Sequence, residues 1–254
     1  MKLSGGQRNK MYPAVKELPL VSIVIVTYNA GKYLEGCIDS IRKQAFQNIE
    51  LIIMDGASTD ETLSIITHHD EYISYWQSEK DNGIYHAMNK SLAHATAKWI
   101  LFLGADDRLL DGFSAITAFL KNTYCVYYGD FIADGRRHGG KFTAYRLAKS
   151  NLCHQNILYC RKVFDKYQYL EKYIISADHY LNMQCWADKT FSFEYHPLAI
   201  VNFSKQGISS IKMDELVEQD RIKNIKKFLG YPVYIRYLLR LIKLQFKKTL
   251  TGKN

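Results

Sequence analysis

Leu20–Gln44 reads LVSIVIVTYNAGKYLEGCIDSIRKQ, and this stretch decides the fold. Its opening, Leu20 to Val26, is a short, continuous apolar run rich in β-branched residues, the pattern of a strand covered on both faces, as in a parallel sheet. Tyr28-Asn29-Ala30-Gly31 follows as a loop. Leu34, Cys37, Ile38 and Ile41 then recur at helical spacing within Tyr33 to Gln44. The unit is strand, loop, helix, and the chain repeats it. Ile49 to Met54 is a second buried strand, Asp55 to Asp60 a polar turn, and Glu61 to Thr67 a helix.

Working outward, Ser74 to Gln77 reads as a third strand, Gly83 to Ala95 as a helix, and Trp99 to Leu103 as a fourth strand ending in Gly104-Ala105-Asp106-Asp107. Strands alternating with helices predict an α/β fold, a Rossmann-like, mostly parallel mixed sheet flanked by helices. Each polar cluster falls at the carboxyl end of a strand, the edge where open α/β sheets bind ligands. The second half is less regular, with a helix near Gly112 to Lys121, a strand at Cys125 to Gly129, a hairpin-like stretch from Asp130 to Lys141 and a helix over Ala177 to Trp186. Residues 231–248 carry apolar side chains at spacings of three and four with Arg and Lys between them, a basic amphipathic helix. The expected organisation is a loosely attached or disordered N-terminal arm over 1–18, a single domain over 19–212 and a helical basic tail over 213–254.

With 254 residues, 47% of them hydrophobic, the chain can bury one substantial core. The formal charge is +9, but nine Lys or Arg and no Asp or Glu lie between Lys223 and Lys253. The body is therefore close to neutral, and no nucleic-acid motif is present, so nucleic acid is not an expected partner. The basic helix is suited to an anionic membrane surface; packing on the domain or on a second copy is the other use of such a helix. Cys37, Cys125, Cys153, Cys160 and Cys185 are widely spaced, without a Cys-x-x-Cys pair, and read as reduced thiols of a cytoplasmic protein. Met1 to Glu17 lacks an apolar signal-peptide core, and no run reaches the ~18 apolar residues of a membrane span. The expected location is cytoplasmic, peripheral on the inner face of the cell membrane.

Three clusters carry chemistry. In Asp55-Gly56-Ala57-Ser58-Thr59-Asp60, carboxylates and hydroxyls at a strand end can accept hydrogen bonds from a base and a ribose, or can cap the next helix. The adjacent carboxylates Asp106 and Asp107 can bind a hard divalent cation, Mn2+ or Mg2+, that bridges to phosphate oxygens, or can form an exposed turn and helix cap. The charged loop from Glu79 leads into a helix on which Lys90 can reach a phosphate or stay solvated.

Together these pieces resemble the family-two inverting glycosyltransferases of the A-type fold, of the bacterial surface-polysaccharide type. The resemblance runs from Val21 to about Ser210 through VSIVIVTYNAGKYLEGCIDSI, LIIMDGASTDET, EKDNGIYHAMNKSLAHATAKWILFLGADDRL, VYYGD, CHQNILYCRKVF, ISADHYLNM and FSKQGISS. It implies transfer of a sugar from a nucleotide-diphosphate sugar, UDP by family habit, to a hydroxyl of a glycan or lipid-linked acceptor in polysaccharide, O-antigen or capsule assembly. A noncatalytic nucleotide-sugar or membrane-surface binding module is the alternative, against which the intact Asp106, Asp107 and Asp178 argue. The resemblance places Thr27, Tyr28, Asn29 and Asp55 around the nucleoside, Asp81 and Lys90 near the donor, and His154-Gln155 by the donor or acceptor pocket. The metal motif, usually Asp-x-Asp, has Gly104 at its first position here, which shifts the expected ligand to Asp106 with Asp107 in support. Asp178 matches the acidic position of the Glu-Asp motif, with Ala177 replacing the Glu, and is the expected general base; the other reading of Asp178 is a helix N-cap.

Overall fold

The apolar runs lie side by side as parallel strands. The computed structural model describes residues 2–10, 18–204 and 215–251. Its strands are β1 (Leu3–Gly5), β2 (Val21–Thr27), β3 (Ile49–Asp55), β4 (Tyr75–Ser78), β5 (Trp99–Gly104), β6 (Arg108–Leu109), β7 (Cys125–Ala133), β8 (Arg136–His138), β9 (Ile157–Cys160) and β10 (Ser192–Asn202). The helices are α1 (Gly31–Arg42), α2 (Thr62–His68), α3 (Ile84–Ser91), α4 (Asp111–Thr117), α5 (Ala144–Lys149), α6 (Ala177–Ala187), α7 (Glu215–Asn224) and α8 (Gly230–Thr251). One sheet runs in the order β1-β4-β3-β2-β5-β9-β7-β10-β6, with β8 paired to β7. β4, β3, β2 and β5 are mutually parallel, β9 is antiparallel to both neighbours, and β10 returns parallel to β7. The expected mostly parallel mixed sheet with flanking helices is what forms.

The register explains why the site lies where it does. Thr27 sits opposite Asp55, Asp55 opposite Ser78, and Val26 opposite Gly104, so four strands end in line on one edge. Below that edge, Val21, Ile23, Val24 and Ile25 of β2 are fully buried. α1 covers them with Leu34, Cys37, Ile38 and Ile41, also fully buried. Each such Leu or Ile contributes about 1.5–3 kcal/mol by leaving water. Ile38→Ala would cost ~2–5 kcal/mol, because a site this enclosed leaves a cavity behind.

The second half contains what periodicity did not reveal. β7 continues past Gly129 and folds back on β8 through Asp134 and Gly135, both at positive φ (49° and 67°), the geometry of a two-residue hairpin turn. β9 is a short apolar strand with no distinguishing pattern. β10 carries Pro197, which cannot donate to a ladder, and its register against β7 shifts between Tyr195 and Ala199. α4 approaches β10 so closely that a Cβ on Gly112 would lie 2.0 Å from the Ala199 carbonyl oxygen, so this contact requires glycine.

The N-terminal segment departs from the expected loose arm. β1 adds an antiparallel edge strand to β4, with Leu3 opposite Ser78 and Gly5 opposite Trp76. Gly6 donates its N–H to Asp70 at 2.6 Å. Arg8 pairs with the buried Glu50, which also accepts from Ser22, from the Thr96 N–H at 2.5 Å and from the Ala97 N–H at 3.0 Å. A three-residue strand that gains its hydrogen bonds from a distant edge has no local signature, which is why the sequence concealed it. At the other end, α7 runs through a wider turn at Ile225–Leu229 to Gly230 (φ 81°), and Pro232 sits in the first turn of α8. The boundary expected near residue 212 lies outside the described residues.

Candidate active site

At the edge, the loop after β2 and the turn after β3 are tied together. The Gly56 N–H donates to the Thr27 carbonyl at 2.9 Å, and the Asn29 N–H to Ser58 Oγ at 2.8 Å. Asn29 Oδ1 accepts from the Thr59 N–H at 2.9 Å, and Asn29 itself is at φ 49°. Asp60 binds the first N–H of α1, Gly31, at 2.9 Å, so the acidic turn also caps α1. Ser58 is bonded to Asn29 and Asp55 instead of capping the helix that follows, and the N-cap residue of α2 makes no side-chain cap bond.

Asp55 is 3% exposed and already accepts from the Ser58 N–H (3.0 Å), the Ser58 hydroxyl and the Ser78 hydroxyl (2.6 Å). Asp81 approaches from the loop after β4, where a Cβ on Gly56 would lie 2.9 Å from its Oδ2. Its Oδ1 accepts from the Gly83 N–H at 2.8 Å, and no bond reaches Oδ2 from the described residues. Tyr28, 65% exposed, borders the same gap, 3.3 Å from that Cβ position. Thr27 Oγ1 is buried with no hydrogen-bond partner among the described residues. An open carboxylate oxygen and an exposed ring therefore converge on Gly56. Lys90, in contrast, is ion-paired with Glu79, and desolvation followed by the charge of Lys2 holds its ammonium below the usual lysine range.

Beyond β5 the two adjacent carboxylates differ. Asp107 is 1% exposed and committed, Oδ2 to the Gly104 N–H at 3.0 Å and Oδ1 to the Ser204 N–H at 2.9 Å. Burial, only partly offset by these N–H donors, pushes its carboxyl up to about 7. Asp106 is half-buried, and its carboxylate takes no hydrogen bond from the described residues. A Cβ on Gly104 would lie 2.7 Å from Asp107 Oδ2 and 2.9 Å from Asp106 Oδ1, so the carboxylates occupy the space a side chain there would need. Among the described residues no cluster of three or more His, Cys, Asp or Glu side chains is arranged around a metal position. The residues fit a hard cation held by one carboxylate and completed by phosphate oxygens and water, the usual manner of Mg2+.

On the far side lies a side-chain network that the sequence only half disclosed. Asp178 is 4% exposed at the start of α6. It accepts from Asn151 Nδ2 at 2.7 Å, His154 Nδ1 at 3.0 Å and the His179 N–H at 2.9 Å, with the Tyr85 hydroxyl 3.1 Å away. Burial raises the Asp178 carboxyl, but the His154 and Asn151 bonds outweigh it and hold the group below the ordinary carboxylate range. Because Nδ1 faces a carboxylate, the imidazole proton belongs there and Nε2 is the acceptor nitrogen; no bond reaches Nε2 from the described residues. Gln155, next to it, is buried. Asn156 donates to the Gly129 carbonyl at 2.6 Å and fixes this turn to β7. Tyr85 lies in one of the matched stretches and Asn151 just before another, but their part in this network shows only in contacts across 93 and 27 residues. All five cysteines are free thiols, four of them buried. No helix among the described residues is long and apolar enough to cross a membrane.

Comparison with known proteins supplies the family. The model of Glycosyl transferase family 2 matches residues 22–184. A PGL/p-HBAD biosynthesis glycosyltransferase of Mycobacterium bovis is 33% identical over 235 residues, 88% of each chain. A teichoic acid poly(glycerol phosphate) polymerase of Staphylococcus epidermidis is 33% identical over 105 residues, which are 40% of this chain and 14% of that one. Among solved structures, S. aureus TarS 1-349 in complex with UDP-GlcNAc superposes with TM-score 0.64 at 16% identity, covering 83% of this chain and 71% of that one. The mannosyltransferase PcManGT of Pyrobaculum calidifontis, in complex with GDP-Man and Mn2+, does so at 0.60 and 17%, covering 79% and 63%. These structures share the A-type glycosyltransferase fold. A family match over residues 22–184, with a relative 33% identical over 88% of each chain, makes this chain a member of glycosyltransferase family 2.

Proposed function

We propose that the chain transfers a hexosyl or N-acetylhexosaminyl group from a nucleotide-diphosphate sugar, a UDP-sugar first, to a hydroxyl of a glycan or lipid-linked acceptor, with inversion, during bacterial surface-polysaccharide or glycolipid assembly. The observation that carries this reading is the gap beside Gly56, where Asp81 Oδ2 and the exposed Tyr28 ring converge. A carboxylate can receive base or ribose donors while the ring stacks, with Thr27 in the strand end beneath. The UDP-GlcNAc and GDP-Man complexes of the similar folds support a nucleotide-sugar ligand. Asp55 supports the corner from beneath, and Asn29 shapes its rim.

Asp106 is the residue that would hold Mn2+ or Mg2+ against the diphosphate, with Asp107 fixing the turn that presents it. When bound, the cation would offset charge developing on the leaving diphosphate. Inversion requires the acceptor hydroxyl to lose its proton as it attacks opposite the leaving group. Asp178 and His154 form the unit that accepts it. The crowded Asp178 carboxylate orients the ring and stabilises its charge, and Nε2 is the atom that takes the proton. Lys90 stands near the donor's phosphates once released from Glu79. A cytoplasmic site at the inner membrane face suits both a nucleotide sugar and a lipid-linked acceptor.

The test is thermal stabilisation by a panel of UDP-, GDP- and dTDP-sugars with and without Mn2+, since a ligand of the folded state raises its stability. One nucleotide class should raise the melting temperature, more so with the cation. If none does, the donor reading is wrong.

A further inference from the structure

Five residues of α8, Tyr231, Ile235, Leu239, Ile242 and Phe246, are 51–64% exposed. Their spacings of four, four, three and four place them within one face about 80° wide at 100° per residue. Arg236, Arg240, Lys243 and Lys247 follow them one position on and form an adjoining basic stripe. The helix is seated on the protein by a different side, through the buried Tyr237 and the half-buried Val233, Tyr234 and Leu241. The apolar stripe is therefore not the face that holds the helix in place.

We infer that this stripe docks on an anionic lipid surface and holds the acceptor side of the site against it. The inference rests on the proposed transfer to a lipid-linked acceptor and says how such an acceptor is met. Three observations support it. An apolar face beside a cationic one matches lipid tails beneath anionic headgroups, and no acidic residue follows Glu218 and Asp220 to oppose them. A second copy of the chain would bring like charge against like charge along the same stripe. The seat of α8 is also the wall of the acceptor side. Arg236 stacks on Tyr145 of α5 at 3.9 Å, and Phe228, just before α8, packs on Tyr180 of α6 at 5.2 Å. α5 leads into Asn151 and His154, and α6 carries Asp178 in its first turn.

The test is flotation of the full chain with vesicles of phosphatidylcholine alone or mixed with phosphatidylglycerol. The wild type should float with the mixed vesicles and not with the neutral ones. Leu239→Glu with Ile242→Glu changes two exposed side chains, so the fold and its melting temperature should persist, while partitioning onto anionic vesicles should fall at least ~10-fold. Lys243→Ala with Lys247→Ala should weaken binding and remove much of its salt sensitivity. Equal partitioning of wild type and Leu239→Glu/Ile242→Glu would overturn the inference. So would a dimer in sedimentation that this double variant converts to monomers. Donor stabilisation on the same preparations separates the two readings, since flotation without donor binding leaves docking standing and refutes transfer.

Discussion

The donor corner and the pocket around Asp178 sit on neighbouring parts of one sheet edge but are assembled in different ways. The corner is built from strand ends and the short loops that leave them, so Thr27 ends β2, Tyr28 and Asn29 follow it directly, and Asp55 ends β3. Its backbone bonds join one loop to the next. The pocket is built from Tyr85, Asn151, His154 and Asp178, side chains carried by separate segments that meet only in the folded chain. A site made of loops is written where it is used; a site made of converging side chains is not. The corner should therefore govern donor affinity and the pocket turnover, and variants can break that division.

The largest effect is expected at the join between the two. Asp106→Ala removes the open carboxylate proposed to face the donor's diphosphate and should abolish transfer and the manganese dependence of donor binding, with the fold intact because Asp106 accepts no hydrogen bond from the described residues. Near-normal activity would remove Asp106 as the cation's anchor. In the pocket, Asp178→Asn and His154→Gln should each lower kcat roughly 100-fold or more with donor affinity retained. Full activity in His154→Gln alongside a deficient Asp178→Asn would shift the proton to Asp178 itself.

In the corner the effects are smaller. Asp81→Ala should weaken donor binding by about 1.5–3 kcal/mol, the worth of a hydrogen bond to a charged group, and Asp55→Ala should weaken it indirectly, by loosening the turn that Asp55 supports. Asp55→Ala should also lower the melting temperature, because three internal donors lose their acceptor, whereas Asp81→Ala should not. Calorimetric titration and thermal melts check both. The smallest effect falls far from either region. Arg8→Ala strips one of several partners from the buried Glu50 and should cost about 1–3 kcal/mol of stability, read by denaturant unfolding, while leaving kinetics unchanged.

The same contrast sets how much the sequence disclosed. The parallel half was legible because apolar runs such as VSIVIV and LIIMD are short, β-branched and closed by polar turns, which marks them as covered strands, and their ends mark the edge. β9 and β10 were not, since a four-residue apolar run and a proline-interrupted strand have no period of their own. The N-terminal segment looked loose because its order comes from Glu50, Asp70 and β4 rather than from neighbours in sequence. Within the site, the resemblance already set Asp106 ahead of Asp107, and burial with the Gly104 and Ser204 N–H bonds shows why: Asp107 is committed and Asp106 is open. Asp178 was visible as an acidic residue opening a helix. That its oxygens are already occupied, and that His154 carries the unbonded nitrogen, depends on Asn151 and Tyr85, which reach Asp178 only in the folded chain.

The division between corner and pocket is tested most directly by calorimetric titration of one nucleotide sugar, with Mn2+ present, into wild type, Asp81→Ala and Asp178→Asn. The account predicts that Asp178→Asn binds the donor as tightly as wild type, although it turns over slowly, and that Asp81→Ala binds roughly 10-fold or more weakly. Loss of donor affinity in Asp178→Asn, with Asp81→Ala unchanged, would contradict it.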